Sequence, residues 1–444
     1  MEKKAFESII GYAEVKQELM RILDQLEHPE KYASLGVTDS HGLLLHGDPG
    51  TGKTTFAKDF LQATGRKTFI CRKDKTNGDF VEEIVRIFDE AAEAEPSVVL
   101  LDDLDKFANG DRRRRDTDEF VTVQTCIDRV RDKQVFVVAT ANDIDKLPDS
   151  LKRAGRFDHV LKLECPRGKD AQDIVAHYLS KKAFVADMDV RRIGRLLNGR
   201  SCAELETVVN QAGVYAAFDG RAQVEMKDMI KSILRIIFEA PESFKEDVKT
   251  LPLIACHEAG HALAAELLEP DSVDLITVLN HDSQAAGVTV IPMDECYFHS
   301  HKMMENRVMY LLAGKAATEI CYGIVDPGVG SDLRRAFAIV ARFVDNYCSY
   351  GFDQFVFANE TSDGLLDRRD TRVATELQRY YTQVRKLLME NKDKLWTLSA
   401  RLVEEKTLLG DQIQQIVRGT YLEPVPPLKG LEARDPHVRK YFAE

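Results

Sequence analysis

The residues that could carry out chemistry lie in two short motifs, about 200 residues apart. GDPGTGKTT (47–55) fits the pattern G-x-x-x-x-G-K-[ST], and LIACHEAGHALAAELL (253–268) contains H-E-x-x-H. The first pattern is typical of phosphate binding and the second of zinc binding. Each does its chemistry only in a particular structural context, so the elements around the motifs decide what the chain can do.

The first motif predicts a cradle for nucleotide phosphates. Its glycines let backbone N–H groups turn toward the phosphates at the positive end of the following helix. We expect Lys53 to reach the β- and γ-phosphate oxygens and the Thr54 hydroxyl to ligate Mg²⁺. An apolar run, HGLLLHG (41–47), precedes the motif, and a helical pattern closed by Gly65 follows it. The residues assigned to nucleotide binding are Gly47, Asp48, Pro49, Gly50, Thr51, Gly52, Lys53, Thr54 and Thr55.

Two further apolar runs rich in β-branched residues predict buried parallel strands, SVVLLDDLD (97–105) and QVFVVATAN (134–142). Asp102 ends the first run, where a Walker B carboxylate holds Mg²⁺. Asn142 ends the second, a position suited to a polar side chain that orients the attacking water. Ligands of doubly wound sheets bind at the carboxyl ends of the strands, which is where these residues are expected.

Arg153 and Arg156 follow in the segment LKRAGRFDH (151–159). Two arginines there are more than one active site needs. They suit an arginine-finger role, in which a guanidinium stabilises developing charge on the γ-phosphate of a neighbouring subunit. That role requires a ring of subunits.

The second motif predicts a metal site on a helix. His257 and His261 stand at i and i+4 on one helix face and can share one Zn²⁺, with Glu258 as general base for the attacking water. The alternative is a helix with two unrelated histidines, but the apolar flanks of the motif favour the metal site. Zinc needs a third protein ligand, and spacing alone leaves six candidates: His281, His299, His301, Glu319, Asp326 and Asp332.

The pattern of the whole chain predicts a doubly wound α/β domain with a parallel sheet, then consecutive helices, then a mainly helical second domain with one edge strand or hairpin at 274–292. The tail contains PVPP and is expected to run extended. The predicted boundaries are 1–166 for the nucleotide-binding domain, 167–238 for the helical segment, 239–250 for a polar linker, 251–421 for the second domain and 422–444 for the tail.

The amino-acid composition argues against several classes of function and of site. The formal net charge of −12 argues against nonspecific nucleic-acid binding, which depends on Lys and Arg. The basic run DRRRR (111–115) is expected to be a solvated loop. Eight cysteines without a C-x-x-C pair argue against a zinc ribbon or a disulfide framework. With neither an apolar signal segment nor a run long enough to cross a bilayer, we expect a cytoplasmic protein without a membrane span.

These motifs together resemble the FtsH family of AAA+ zinc metalloproteases. FESIIGYAEVKQEL, HGLLLHGDPGTGKT, ATANDIDKLPDSLKRAGRFDHV, HEAGHA, GVTVIP and GVGSDLRRA occur in the family's order and roughly its spacing, over about residues 5–420. The resemblance implies a P-loop AAA+ ATPase with a helical lid, followed by a mainly α-helical zinc metallopeptidase domain. The cofactors it implies are ATP, Mg²⁺ and Zn²⁺.

The resemblance also implies roles for individual residues and for the assembly. Asp332, 71 residues after His261, would be the third zinc ligand, and Gly11 would join the nucleotide-binding residues. Arg153 and Arg156 would act in trans in a homohexamer. In that family, ATP hydrolysis pulls polypeptide substrates through a central pore into the zinc chamber.

The sequence departs from the family pattern in four places. Transmembrane segments normally precede the ATPase domain, and here that domain stands at the start. The Glu that activates water is replaced by Asp103. The pore-loop segment CRKDKTNGDF (71–80) offers only Phe80 as an aromatic grip, and the Asp-Gly-Phe element that links subunits is Asp-Arg-Val at 128–130.

Three functions fit these patterns. The leading one is an ATP-dependent zinc endopeptidase that unfolds and degrades proteins in a ring. The second is a zinc peptidase with a slow or regulatory ATPase, which the altered pore segment favours. The third is a protein-remodelling factor with little proteolysis. Glu258 beside a full ligand set argues against the third, since a binding module needs no metal-water base.

Overall fold

The computed structural model describes residues 5–73, 80–107, 118–153, 155–185, 188–240, 250–279, 287–291, 300–324, 327–351 and 362–420. The chain divides into two compact units, Met1–Ser232 and Ile233–Glu444. The basic run 111–115, the segment 74–79, most of the expected linker (241–249) and the tail (421–444) lie outside the described residues. The predicted domain boundaries stay predictions.

The first unit contains a parallel sheet of five strands in the order β2-β3-β4-β1-β5. Both central strands, β3 and β4, are buried along their whole length, as continuous apolar runs in a covered parallel sheet should be. The α/β fold class is confirmed. The strands are β1 (Gly42–His46), β2 (Lys67–Arg72), β3 (Ser97–Asp102), β4 (Val135–Ala141) and β5 (His159–Lys162).

Nine α-helices precede the boundary or cross it in the described part of the chain, and the last of them spans the division after Ser232. They are α1 (Ala13–Glu27), α2 (Pro29–Ala33), α3 (Lys53–Thr64), α4 (Phe80–Glu93), α5 (Asp118–Arg129), α6 (Gly168–Leu179), α7 (Val190–Leu196), α8 (Cys202–Phe218) and α9 (Met226–Ile236). Short 3₁₀ helices cover Leu104–Lys106 and Ile144–Lys146. Helix α3 ends at Gly65 with φ 63°, a left-handed cap that glycine adopts without strain, as predicted.

The consecutive helices α6–α9 form the lid predicted after the sheet. Helix α8 begins with a capping box, in which the Ser201 hydroxyl accepts from the backbone N–H of Glu204 while the Glu204 carboxylate accepts from the backbone N–H of Ser201. In the same first turn, the backbone N–H of Ala203 donates to the carbonyl of Gly50 in the phosphate loop at 3.2 Å. The start of this lid helix therefore lies on the cradle.

The second unit is mainly helical, as predicted. Its helices are α10 (Leu251–Leu268), α11 (His301–Tyr322), α12 (Gly330–Asp345), α13 (Asp363–Glu390), α14 (Lys392–Glu405) and α15 (Gly410–Arg418), with a 3₁₀ turn at Pro327–Val329. Its strands are β6 (Leu275–Thr277), β7 (Val288–Val290) and β8 (Thr407–Leu409). These strands form an antiparallel sheet in the order β7-β6-β8. The predicted hairpin segment supplies β6 and β7; β8 was not anticipated.

Helix α10 is the centre of this unit. It packs against α11, α13, α14 and α15, and most of its residues are buried. A helix that is apolar on every face requires such surroundings. Gly260 lets α11 come close, because a Cβ there would lie 2.5 Å from Ala317 Cβ and 2.7 Å from the Ala313 carbonyl oxygen. The glycine inside the H-E-x-x-H motif thus sets the spacing of the two helices.

Across the described ranges, none of the helices combines the length and the apolar character that crossing a bilayer demands.

Candidate metal and nucleotide sites

Three side chains of the second unit converge on one point. His257 and His261 come from α10 and have their Nε2 atoms 2.9 Å apart. Asp332, in the first turn of α12, places Oδ2 3.4 Å from His257 Nε2 and 3.2 Å from His261 Nε2. Two imidazoles and one carboxylate are a typical zinc donor set. Within the described residues, no other group of three or more His, Cys, Asp or Glu side chains could hold a metal ion.

Burial and charge suit this cluster to a cation. His257 and His261 are each only 7% exposed. Burial by itself would raise the pKa of Asp332, but the hydrogen bonds and charges of the two histidines hold that pKa well below its usual range. Burial likewise acts to lower the pKa of His261, and the neighbouring Asp332 carboxylate raises it overall. Asp332 therefore stays ionised. A divalent cation could replace the protons on the two imidazoles and would balance the charge of the same carboxylate.

The orientation of His261 is set by helix α11. His261 Nδ1 lies 2.6 Å from the carbonyl oxygen of Tyr310, so an N–H at Nδ1 donates to that oxygen. The Nε2 lone pair then points toward the cluster, which is how metal-bound histidines are usually oriented. The sequence carries no signal for this contact, because any residue type can supply a backbone carbonyl.

Gly314 gives the two imidazoles their room. A Cβ at this position of α11 would lie 2.6 Å from both His257 Cε1 and His261 Nε2. Real Cβ atoms essentially never make contacts that short. Only glycine can therefore stand on α11 opposite the histidine pair as it is placed here.

Glu258 lies beside the cluster and is tied to strand β7. The Thr289 hydroxyl donates to Glu258 Oε2 at 2.5 Å. On the other side, a Cβ at Gly287 would lie 2.9 Å from Oε1, so the absence of a side chain leaves space next to that oxygen. A carboxylate with one oxygen held by a hydroxyl and the other not covered by a side chain at position 287 can accept a proton from a neighbouring water.

The other predicted candidates for the third ligand differ in their surroundings. His301 stacks on Phe343 at 4.4 Å and lies 3.9 Å from Glu305, and Glu319 pairs with Lys315 and accepts from Tyr381. Neither belongs to the cluster. His281, His299 and Asp326 lie outside the described residues.

The phosphate loop of the first unit joins β1 to α3. Gly47 (φ 147°), Gly50 (φ 79°) and Gly52 (φ 97°) all have positive φ, which glycine adopts freely. Lys53 is buried and donates to the carbonyl oxygens of Gly47 and Asp48, each at 2.7 Å. Burial lowers the pKa of Lys53, against the charges of nearby aspartates.

The remaining loop residues line the same turn. Thr51 is buried and its hydroxyl donates to the Asp48 carbonyl at 2.9 Å. Exposed residues of the loop and of the first turn of α3 include Asp48, Pro49, Gly50, Thr54 and Thr55. The N–H groups at the start of α3 and an exposed Thr54 hydroxyl match what a phosphate and its Mg²⁺ require.

The acidic and amide residues predicted at the strand ends are brought together. The Thr140 hydroxyl donates to Asp102 Oδ1 at 2.8 Å and accepts the backbone N–H of Asp103 at 2.9 Å. Asn142 Nδ2 lies 3.3 Å from Asp103 Oδ1, and Lys106 Nζ lies 2.7 Å from Asp103 Oδ2. Asp103 has a left-handed backbone (φ 56°), a region that Asp tolerates better than most residues. Its carboxylate is thus held between an amide and an ammonium group.

The two predicted finger arginines differ in environment. Arg153 is exposed, whereas Arg156 makes a fork to Asp128 of its own chain, with Nε–Oδ1 at 3.1 Å and Nη2–Oδ2 at 2.8 Å. Arg156 Nη1 also donates to the Ser150 carbonyl at 2.7 Å. Bidentate pairing fixes a guanidinium plane. Asp128 is the first residue of the altered subunit-linking element.

Two other expectations concern single residues of the first unit. Gly11 (φ 72°) lies against the lid, where a Cβ would be 2.9 Å from Asp170 Oδ1. Phe80 is buried and packs edge-on against Phe107 with ring centroids 4.8 Å apart. The suggestion that Phe80 grips a polypeptide is therefore wrong, because a ring committed to the core cannot contact a substrate.

Sequence reasoning missed several residues around both sites. The lid contact through Ala203 and the carboxylate of Asp105, which accepts the backbone N–H of Asn142 at 3.0 Å, were not anticipated. The S-x-x-E capping box at 201–204 was readable and could have located the start of the lid helix. Thr289 lies in the quoted GVTVIP segment, but its bond to Glu258 depends on the fold.

The families and proteins to which this chain is similar agree with the nucleotide and metal sites described above. Residues 43–165 match the ATPase family associated with various cellular activities (AAA), and residues 246–416 match peptidase family M41. The ATP-dependent zinc metalloprotease FtsH of Pelobacter propionicus is 28% identical over 95% of this chain and 72% of its own length. The proteins of the same name from Thermus thermophilus and Lachnoclostridium phytofermentans are each 29% identical, over 95% and 92% of this chain and 72% and 74% of theirs.

A P-loop sheet with a helical lid and a separate helical unit built around H-E-x-x-H define a two-domain ATPase–peptidase. The two family matches fall one on each of those parts. The chain belongs to the FtsH family of AAA+ zinc metalloproteases.

Proposed function

We propose that this chain is an ATP-dependent zinc endopeptidase that unfolds and degrades polypeptide substrates in a ring. The observation that carries the proposal is the convergence of His257, His261 and Asp332 beside Glu258, in a chain that also holds a complete phosphate loop. Relatives over 95% of the chain are named ATP-dependent zinc metalloproteases.

In the peptidase, His257, His261 and Asp332 would hold zinc. A bound zinc ion supplies the Lewis-acid chemistry that makes water nucleophilic at neutral pH. Glu258 acts as general base: Thr289 holds Oε2, and Oε1 takes the proton from the attacking water and delivers it to the leaving amine. The carbonyl of Tyr310 keeps His261 in the tautomer that binds metal.

In the ATPase, the loop 47–55 binds the phosphates, with Gly11 contributing from the N-terminal segment. Thr54 and Asp102 would hold Mg²⁺, and Lys53 would neutralise the β/γ oxygens. Asp103 activates the attacking water and Asn142 orients it. The distance of 3.3 Å between Asn142 Nδ2 and Asp103 Oδ1 supports a shared role at one position.

The proposed assembly is a ring of six copies of this chain. Arg153 and Arg156 would act on the nucleotide of the neighbouring subunit in a homohexamer. The exposure of Arg153 supports this role, whereas Arg156 would have to leave the fork to Asp128 of its own chain to reach a neighbouring nucleotide. We propose a cytoplasmic location, which the free thiols of the seven described cysteines support. Nucleic acid is not among the proposed partners.

One experiment separates the candidate functions. Degradation of an unstructured and of a stably folded protein is measured with ATP, with a nonhydrolysable analogue and without nucleotide, each with and without a zinc chelator. The proposal expects chelator-sensitive cleavage of both substrates, and loss of folded-substrate degradation with the analogue. Equal rates with ATP and the analogue would instead favour a peptidase with a regulatory ATPase. Absence of cleavage despite bound zinc would favour a remodelling factor.

A further inference from the structure

Tyr12 has an unusual backbone for an aromatic residue. It follows Gly11 at the start of α1 and has φ 55° and ψ 42°, in the left-handed region. Large side chains rarely adopt that conformation, and they keep it only where the surroundings hold them in it. The side chain is only 9% exposed, and its ring packs edge-on against Phe56 of α3 with centroids 5.5 Å apart.

The Tyr12 hydroxyl lies at the junction of three segments. It donates to the carbonyl oxygen of Glu164, just after β5, at 2.9 Å. It also lies 3.4 Å from the carbonyl oxygen of Thr51 in the phosphate loop and 3.5 Å from Cys202 Sγ, the first residue of lid helix α8. The Cys202 thiol lies within reach of the Tyr12 hydroxyl and of the Thr51 carbonyl oxygen, the latter at 3.8 Å. A phenol has one proton and can also accept, so an arrangement in which the thiol donates to the hydroxyl while the hydroxyl donates to Glu164 satisfies both groups.

The contact with Cys202 depends on where the lid lies. In this structure, the start of α8 lies on the phosphate loop, with the Ala203 N–H bonded to the Gly50 carbonyl at 3.2 Å. Gly50 is also close to the lid, since a Cβ there would lie 2.9 Å from Ala203 Cβ. Movement of α8 away from the loop breaks the Ala203–Gly50 bond and the Cys202–Tyr12 contact together. The Tyr12–Glu164 bond, made within the sheet domain, survives that movement.

We propose that Tyr12 is a positioning residue for nucleotide binding, whose hydroxyl joins lid helix α8 to the phosphate loop and stabilises the arrangement in which the lid lies on the loop. This inference rests on the proposed ATPase function. Burial raises the pKa of Tyr12, so the hydroxyl keeps its proton and can go on donating. Because the Tyr12–Cys202 contact forms only when the lid lies on the loop, it raises the fraction of molecules in that arrangement. Nucleotide affinity rises with that fraction.

The test compares Tyr12→Phe with wild type in the full-length chain. Phe keeps the ring against Phe56 and removes only the hydroxyl. We expect the KM for ATP and the Kd of a fluorescent ATP analogue to rise about three- to tenfold, the range for loss of one hydrogen bond. The kcat should stay within about twofold, because Asp102 and Asp103 are untouched. Tyr32→Phe is the matched control, since its hydroxyl donates to Asp24 near the start of the chain.

A second pair of variants separates positioning from general destabilisation. Cys202→Ala should raise the Kd in the same direction, and Cys202→Ser, which keeps a donor, should restore it. The double variant Tyr12→Phe/Cys202→Ala should raise the Kd by less than the product of the two single effects, because the Tyr12–Cys202 contact is lost in each single variant. If the Tyr12→Phe chain does not fold, the Kd values of the two Cys202 variants decide whether the contact affects nucleotide binding.

An unchanged Kd in Tyr12→Phe, or fully additive effects in the double variant, overturns the positioning role and leaves the ATPase assignment intact. A fall in kcat at constant KM overturns it as well. A wild-type chain that binds the analogue without hydrolysing ATP contradicts the proposed function, and the Kd comparison still tests Tyr12.

Discussion

Replacing Gly314 by Ala should separate the stability of the peptidase unit from its ability to bind zinc. Gly314 lies inside helix α11, where a glycine costs about 0.5–1 kcal/mol relative to Ala. Helix propensity therefore favours the substitution. The added methyl group, however, would stand 2.6 Å from His257 Cε1 and from His261 Nε2, both on α10.

The size of the effect follows from the distances. Ordinary contacts of a Cβ begin at 3.4 Å, so each imidazole must move by roughly 0.8 Å or the helices must separate. Zinc–ligand distances tolerate only about 0.2 Å. A shift several times that size takes both rings out of coordination range with Asp332. We expect zinc affinity to fall by at least about 10- to 100-fold, the range seen when a partner that orients a ligand is lost.

The measurement is zinc affinity by competition with a chromogenic chelator, together with thermal unfolding of the metal-free chain and peptide cleavage. Gly364→Ala is the matched control, since it adds the same methyl group to α13 with nothing within 4 Å. The control should bind zinc and cleave peptide like wild type. Wild-type zinc affinity in Gly314→Ala would refute the reasoning, because it would mean that the histidine pair does not lie against α11 when metal is bound.

Three further predictions concern the other site residues. Glu258→Gln should abolish peptide cleavage while bound zinc stays near one per chain, and loss of zinc in that variant, measured by metal analysis, would show that Glu258 is a ligand. Asp103→Glu extends the carboxylate by roughly one C–C bond and should raise the ATPase kcat by up to about 100-fold with little change in nucleotide Kd; a slower variant would show that the left-handed backbone already brings Asp103 to the water. Mixing Arg156→Ala with Lys53→Ala chains should recover part of the ATPase activity, since a mixed interface can pair an intact cradle with an intact arginine. Failure to recover, with sizing showing intact assembly, would point to a role within the chain.

The features that could be predicted from the sequence are those that require particular residue types at neighbouring or regularly spaced positions. A buried parallel strand requires a continuous apolar run, and the two runs that end at Asp102 and Asn142 form β3 and β4. His257 and His261 lie on one helix face because their spacing of four residues places them there. In contrast, β8 is three residues long and pairs with β6 across about 130 positions of sequence, so no local pattern could indicate it.

The residues that set the geometry of the metal site include glycines whose importance cannot be seen in the sequence alone. Gly260, Gly314 and Gly364 all lie in helices and look alike in the sequence, yet a Cβ would clash at the first two and meet open space at the third. A glycine inside a helix often marks a close neighbour, but whether that neighbour exists depends on another part of the fold. The H-E-x-x-H motif names two ligands without fixing the distance at which α11 lies from them. That distance depends on Gly260 and Gly314, so the pair of glycines determines whether the motif on α10 can hold a metal ion at all.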